Sequence, residues 1–97
     1  MGFRHVEKHA AKHLWRAYEL FEDVAGRHPC IDAMRHPSEA NDECLRFGVR
    51  VLRCASADEL AGFREELSLS LPRYLVCEVP EPVEGLCEAT ICYAGDE

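Results

Sequence analysis

The chain has 97 residues, 47% of them hydrophobic and 30% charged, and its formal net charge is −7 at neutral pH. This length allows one small hydrophobic core but not two ordinary domains, and the composition is not that of a disordered or fibrous protein. We therefore expect a single folded domain over residues 1–97.

The acidic residues are concentrated in the second half of the chain. Residues 1–54 contain nine Lys and Arg against eight Asp and Glu, whereas the remainder contains only Arg64 and Arg73 against ten acids. Such an asymmetry affects solubility, electrostatic steering and the choice of partner, but it does not identify a reaction.

An amphipathic helix is predicted over residues 3–25. Apolar residues recur there at alternating steps of three and four, at Phe3, Val6, Ala10, Leu14, Ala17, Phe21 and Val24. Gly26 is typical of a helix end, and Pro29 cannot continue the helix. Residues 27–43 have few periodic apolar positions, so they predict a long irregular loop.

Residues 44–94 predict a βαββ unit. Alternating apolar residues indicate strands over 44–54, 74–79 and 86–93, and the last two are joined by a turn over 81–85. Between the first two strands, Ser56 and Glu59 have the spacing of a capping box that begins a helix ending near Ser68.

The predicted fold is α+β, a single two-layer domain with the order αβαββ. Its three-stranded sheet is expected to be mixed: the first two strands are parallel through a right-handed crossover, and the last two form an antiparallel hairpin. We expect both helices on one face, with one helix on each face as the alternative. The other face, with Leu52, Tyr74, Val76 and Leu86, would then suit the long helix or a second subunit in a homodimer.

The chain contains six cysteines and no CxxC pair. The N-terminal residues lack the apolar run of a signal peptide or a membrane span, which predicts a cytoplasmic location and no contact with a membrane. We accordingly expect mostly reduced, buried cysteines, with a disulfide or a metal site as alternatives.

No motif assigns a reaction to the chain, since its glycines are isolated and the GxSxG pattern is absent. Binding is therefore the expected activity rather than catalysis, and no cofactor is expected. The composition favours a small acidic protein that docks on a basic surface of a protein partner, as an inhibitor or regulator of a nucleic-acid-binding protein would. The predicted contact residues are Asp58, Glu59, Glu65, Glu66, Glu81 and Glu84, with Trp15 as an anchor; the alternatives are a merely solvated acidic face and a Trp15 packed under residues 27–43.

Two further hypotheses are left open. His28, Cys30, His36 and Cys44 have the chemical types of a zinc site, although their spacing differs from the close ligand pairs of structural zinc sites. Arg4, Lys8, Lys12 and Arg16 form a basic stripe at i, i+4 spacing that could bind nucleic acid, although the net negative charge opposes this.

Overall fold

The computed structural model describes the backbone of residues 2–94 and the side chains of residues 12–94. The order of elements is αβββαββ. The two helices are α1 (Gly2–Gly26) and α2 (Ala57–Ser70). The strands are β1 (Ile31–Met34), β2 (Glu39–Ala40), β3 (Cys44–Val51), β4 (Leu75–Glu78) and β5 (Leu86–Tyr93). The predicted α+β domain with two helices is confirmed.

Residues 27–43, predicted as an irregular loop, contain β1 and β2, so that prediction is wrong. Both strands pair antiparallel with β3, β1 along its end and β2 along its beginning. Between them, the Arg35 and Ser38 amides donate to the carbonyls of Gly48 and Arg46, each at 2.9 Å. The segment is therefore one interrupted edge strand, whose residues are mostly exposed and lack an apolar alternation.

The turn between β2 and β3 is formed by Asn41. Its side-chain Oδ1 accepts hydrogen bonds from the amides of Glu43 and Cys44, both at 2.8 Å. An Asn side chain that bonds the main chain two and three residues ahead is a common way to close a tight turn. Asn41 is thus the residue in the sequence that marks this hairpin.

The predicted mixed, three-stranded sheet is also wrong: the sheet has five strands, all antiparallel, in the order β1-β3-β5-β4 with β2 paired to β3. The strands β3 and β4 run in the same direction, but β5 lies between them. A hairpin that follows β4 can place β5 on either side of β4, and the sequence does not specify which. Insertion between β3 and β4 gives β5 seven registered pairs with β3, from Cys44–Cys92 to Arg50–Leu86.

The hydrophobic core lies between one face of the sheet and both helices. Phe21 of α1 makes edge-to-face contacts with Phe47 of β3 and Phe63 of α2, with ring centroids 4.8 and 5.3 Å apart. Such aromatic pairs stabilise a core beyond the area they bury. Because Phe21 contacts the sheet and α2 at once, the two helices pack on the same face.

The opposite face of the sheet carries no helix of the described chain. Alternate residues of β3 are buried, while Arg46 and Arg50 are exposed on the other side. Tyr74, Val76 and Leu86 are also exposed, as is Leu52 after β3. Among the described residues, neither helix has the length and hydropathy that crossing a membrane requires.

Candidate functional site

The buried residues of α2 determine which of its acidic side chains face the solvent. Leu60, Phe63 and Leu67 are buried against the core. Asp58 and Glu65 lie seven residues apart, two turns of the helix, and are exposed on the side away from that stripe. This orientation is the one that helical periodicity predicted.

Glu59 is occupied in the cap of α2. Its side chain accepts a hydrogen bond from the amide of Ser56 at 2.7 Å, and the Ser56 hydroxyl accepts one from the amide of Glu59 at 3.1 Å. The capping box predicted from the sequence is thus present. The Glu59 carboxylate satisfies a main-chain donor at the helix start, which makes it less available to a partner.

Glu66 joins α2 to the residues that follow α1. One carboxylate oxygen lies 2.6 Å from Nε2 of His28, and the other accepts a hydrogen bond from Nε of Arg27 at 2.9 Å. Hydrogen bonds from His28 and then Arg27 hold the pKa of the Glu66 carboxyl below its usual value. The sequence did not predict these partners, because they are separated from Glu66 by 38 and 39 residues.

The hairpin before β5 brings two further carboxylates to the beginning of α2. Val83 and Leu86 exchange main-chain hydrogen bonds of 2.8 and 3.1 Å around Glu84 and Gly85. Both turn residues have a positive φ, 54° and 81°. Glu84 lines a cleft of about 350 Å³ in which Glu81, Ser56 and Ala57 also take part.

Gly85 is required at its position in this turn. Its carbonyl accepts a hydrogen bond from the amide of Val51 at 2.7 Å. A Cβ atom at Gly85 would lie 2.9 Å from the carbonyl oxygen of Val51. The close approach of the hairpin to the end of β3 therefore fixes Glu84 beside α2.

We call the six predicted carboxylates of α2 and the hairpin the acidic surface; its members are Asp58, Glu59, Glu65, Glu66, Glu81 and Glu84. Glu81 lies 3.5 Å from the guanidinium of Arg64, and Glu66 is paired as described above. In the part of the chain that the structure describes, Asp58, Glu65 and Glu84 take part in no ion pair. These three are the carboxylates of the acidic surface with neither an ion pair nor a capping role among the described residues; Arg53 lines the same cleft as Glu84.

Trp15 lies apart from the acidic surface. Its ring is 5.8 Å from Tyr18 and 6.0 Å from His36, measured between centroids, and its exposed fraction is 38%. Tyr18 in turn donates a hydrogen bond from its hydroxyl to the Arg35 carbonyl at 3.1 Å. Trp15 therefore packs beside the interrupted edge strand and remains partly exposed there.

The four residues of the zinc hypothesis have separate partners. Cys44 forms a disulfide with Cys92, and His28 is bonded to Glu66. Cys30 is buried, with its sulfur 3.9 Å from the carbonyl of Glu59, and His36 lies against Trp15. No group of three or more His, Cys, Asp or Glu side chains is placed to hold a metal ion within residues 12–94.

The disulfide departs from the expectation of mostly reduced cysteines. Cys44 and Cys92 are directly opposite in the register of β3 and β5, with Cα atoms 4.2 Å apart. Tyr93 donates its amide hydrogen to Glu43, which makes the neighbouring Cys44–Cys92 pair a closely spaced, non-hydrogen-bonded one. Cys30, Cys54, Cys77 and Cys87 are free.

Half of the basic stripe on α1 can be located. Lys12 and Arg16 are exposed, whereas the side chains of Arg4 and Lys8 lie outside the described residues. Three other arginines, Arg35, Arg46 and Arg50, lie on or beside the face of the sheet opposite the helices, which we call the outer face. Arg46 lies 3.3 Å from Glu39, and Arg50 lies 3.9 Å from Asp32.

The comparisons with known proteins gave no match: no family model, no curated protein and no solved structure is significantly similar to this chain.

Proposed function

We propose that the protein acts by binding a protein partner through its acidic surface, and that the partner presents a basic surface of the kind that binds nucleic acid. Binding there would cover the partner's cationic residues, so the protein would act as its inhibitor or regulator. The carboxylates of Asp58, Glu65 and Glu84 would attract the partner during encounter, since complementary charge increases the association rate more than it increases affinity.

The observation that carries this proposal is the exposure of these three carboxylates without an ion pair among the described residues. The nearby cations of α2 and of the segment after α1 are already engaged: Arg64 with Glu81 and Arg27 with Glu66. The net charge of −7 adds a long-range attraction for a basic partner. Trp15 would contribute a second, separate contact if the partner extends to α1.

The test compares two doubly substituted proteins with the same change in charge. Asp58→Lys with Glu65→Lys changes the acidic surface, whereas Asp42→Lys with Glu43→Lys changes an exposed turn at the opposite end of β3. Proteins captured on the immobilised wild type are purified, and their association rates with each variant are measured at low ionic strength. We expect the first variant to associate about tenfold more slowly and the second to stay close to wild type.

Equal rates for the two variants would show that the acidic surface has no specific role in association. The proposed function would also fail if the captured proteins carried no basic surface. Circular dichroism of both variants provides the control for folding, because all four substituted residues are exposed.

A further inference from the structure

The strand β4 forms a free edge of the sheet, since β5 is its one neighbour among the described strands. Ala94 donates its amide hydrogen to the carbonyl of Tyr74 at 2.9 Å, and the register pairs Leu75 with Tyr93. Hydrogen-bonded and non-hydrogen-bonded pairs alternate in an antiparallel ladder. Val76 and Glu78 therefore direct their main-chain groups toward β5, as Tyr74 does, while the groups of Leu75, Cys77 and Val79 point to the free edge.

Two of these edge groups are bonded within the molecule. The Leu75 amide donates to the Pro72 carbonyl at 3.1 Å, and the Val79 carbonyl accepts from Nε of Arg64 at 2.9 Å. Four groups have no partner in residues 12–94: the carbonyl of Leu75, both main-chain groups of Cys77 and the amide of Val79. Such a row of unpaired donors and acceptors is a template for an additional strand.

The space beside this edge is open. A groove of about 890 Å³ runs along β4 and is lined on one side by Leu67, Ser68 and Leu71 of α2 and the loop that follows it. A groove between a helix and a sheet edge accommodates an extended chain whose main chain pairs with the edge strand.

We propose that this edge binds the β4 strand of a second copy of the chain, antiparallel, about a two-fold axis that passes beside Cys77. In this register the Cys77 amide of each copy donates to the Cys77 carbonyl of the other. The Val79 amide of each copy donates to the Leu75 carbonyl of the other. The four unpaired groups of each copy are then all bonded. The Leu75 amide and the Val79 carbonyl, which are bonded to Pro72 and Arg64, take no part in the pairing.

The charges beside the strand are compatible with this arrangement. Arg73 precedes β4 and Glu81 follows it, so antiparallel pairing brings Arg73 of each copy to the same end of the interface as Glu81 of the other. Both side chains are exposed in the single chain. The strand β4 has only four residues, so the pairing is short and we expect a reversible dimer.

Val76 and Glu78 provide the test of this dimer, because they would face each other across the new pair of strands on the outer face. Val76→Glu places a glutamate of each copy opposite Glu78 of the other, so the dimer contains two pairs of like charges. This should weaken self-association about tenfold in sedimentation equilibrium. Adding Glu78→Lys to Val76→Glu restores opposite charges and should restore the dimer. Leu86→Glu is the matched control, since Leu86 is exposed by 53% and Val76 by 45%, but Leu86 lies away from the edge.

A wild-type protein that stays monomeric at high concentration would overturn the proposal. So would a dimer that Leu86→Glu disrupts and Val76→Glu leaves intact, because the interface would then be the outer face. Failure of Glu78→Lys to rescue Val76→Glu would exclude this register. The inference stands apart from the proposed function: Asp58→Lys with Glu65→Lys should slow partner association and leave the dimer unchanged.

Discussion

Glu84 has a main-chain conformation that glutamate seldom adopts. Its φ of 54° and the 81° of Gly85 are those of a two-residue hairpin turn, for which Asn followed by Gly is the favoured pair. Strained residues are common at functional sites, where another requirement determines the side chain. The proposed role of the Glu84 carboxylate in attracting a partner would account for a glutamate at this position.

Substitution of Glu84 by Asn should therefore stabilise the protein, by about 0.5 to 1 kcal/mol, because Asn adopts the left-handed conformation at lower cost. Urea denaturation measures the free energy of unfolding. Asp42→Asn is the control, since it makes the same change in charge in the other hairpin, at a residue without a positive φ. If both substitutions have the same effect on stability, the turn strain is not the cause.

The helices and the strands β3, β4 and β5 were predictable because each carries its own pattern. The stripe of Leu14, Ala17 and Phe21 identifies α1, and the box of Ser56 and Glu59 identifies the start of α2. The strands β1 and β2 lack such a pattern, because an exposed edge does not require alternating apolar residues. They form because they pair with β3, and the sequence of residues 27–43 alone does not indicate that pairing.

The ion pairs of Glu66 connect the ends of the two helices, and they give the protein a stability that depends on pH. The pKa of Glu66 is lowered in the folded state, so the carboxylate stabilises the fold fully above its ordinary pKa of 4.5. This stabilisation is lost as the pH falls through the lower folded-state pKa. We expect the wild type to lose more free energy of unfolding than Glu66→Gln does between pH 6 and pH 3.

Chemical denaturation at a series of pH values provides the measurement. Glu65→Gln is the matched control, since Glu65 is the neighbouring exposed carboxylate of α2 and has no ion pair among the described residues. Its acid sensitivity should equal that of the wild type. Parallel pH profiles for the wild type and Glu66→Gln would exclude a stabilising role for the contacts with Arg27 and His28.

At the scale of the whole molecule, the sequence predicted the fold class and the exposed carboxylates of α2, but not the order of strands. The position of β5 between β3 and β4 depends on long-range pairing, and so does every property that follows from it. The Cys44–Cys92 disulfide and the free edge of β4 could not be found from local periodicity for this reason. The partners of Glu66 were missed because helix packing, rather than spacing along the chain, brings Arg27 and His28 to it.

The disulfide predicts four free thiols in the denatured, unreduced protein, out of six cysteines. Cys44→Ser with Cys92→Ser should lower the free energy of unfolding by about 2 to 4 kcal/mol, whereas Cys54→Ser, at an exposed free cysteine, should have little effect. Six free thiols would contradict the pairing. A cytoplasmic location stays a prediction, and the same count on protein isolated from its own cells tests it, because disulfides are rare in that compartment.

The central claim is that exposed carboxylates beside α2 attract a basic partner. Its most direct test is the association rate of the purified pair as a function of ionic strength, measured for the wild type and for Asp58→Lys with Glu65→Lys. We predict a rate that falls steeply with added salt for the wild type and a much weaker dependence for the variant, since screening removes an attraction that the variant already lacks. Equal salt dependence in the two proteins would contradict the claim.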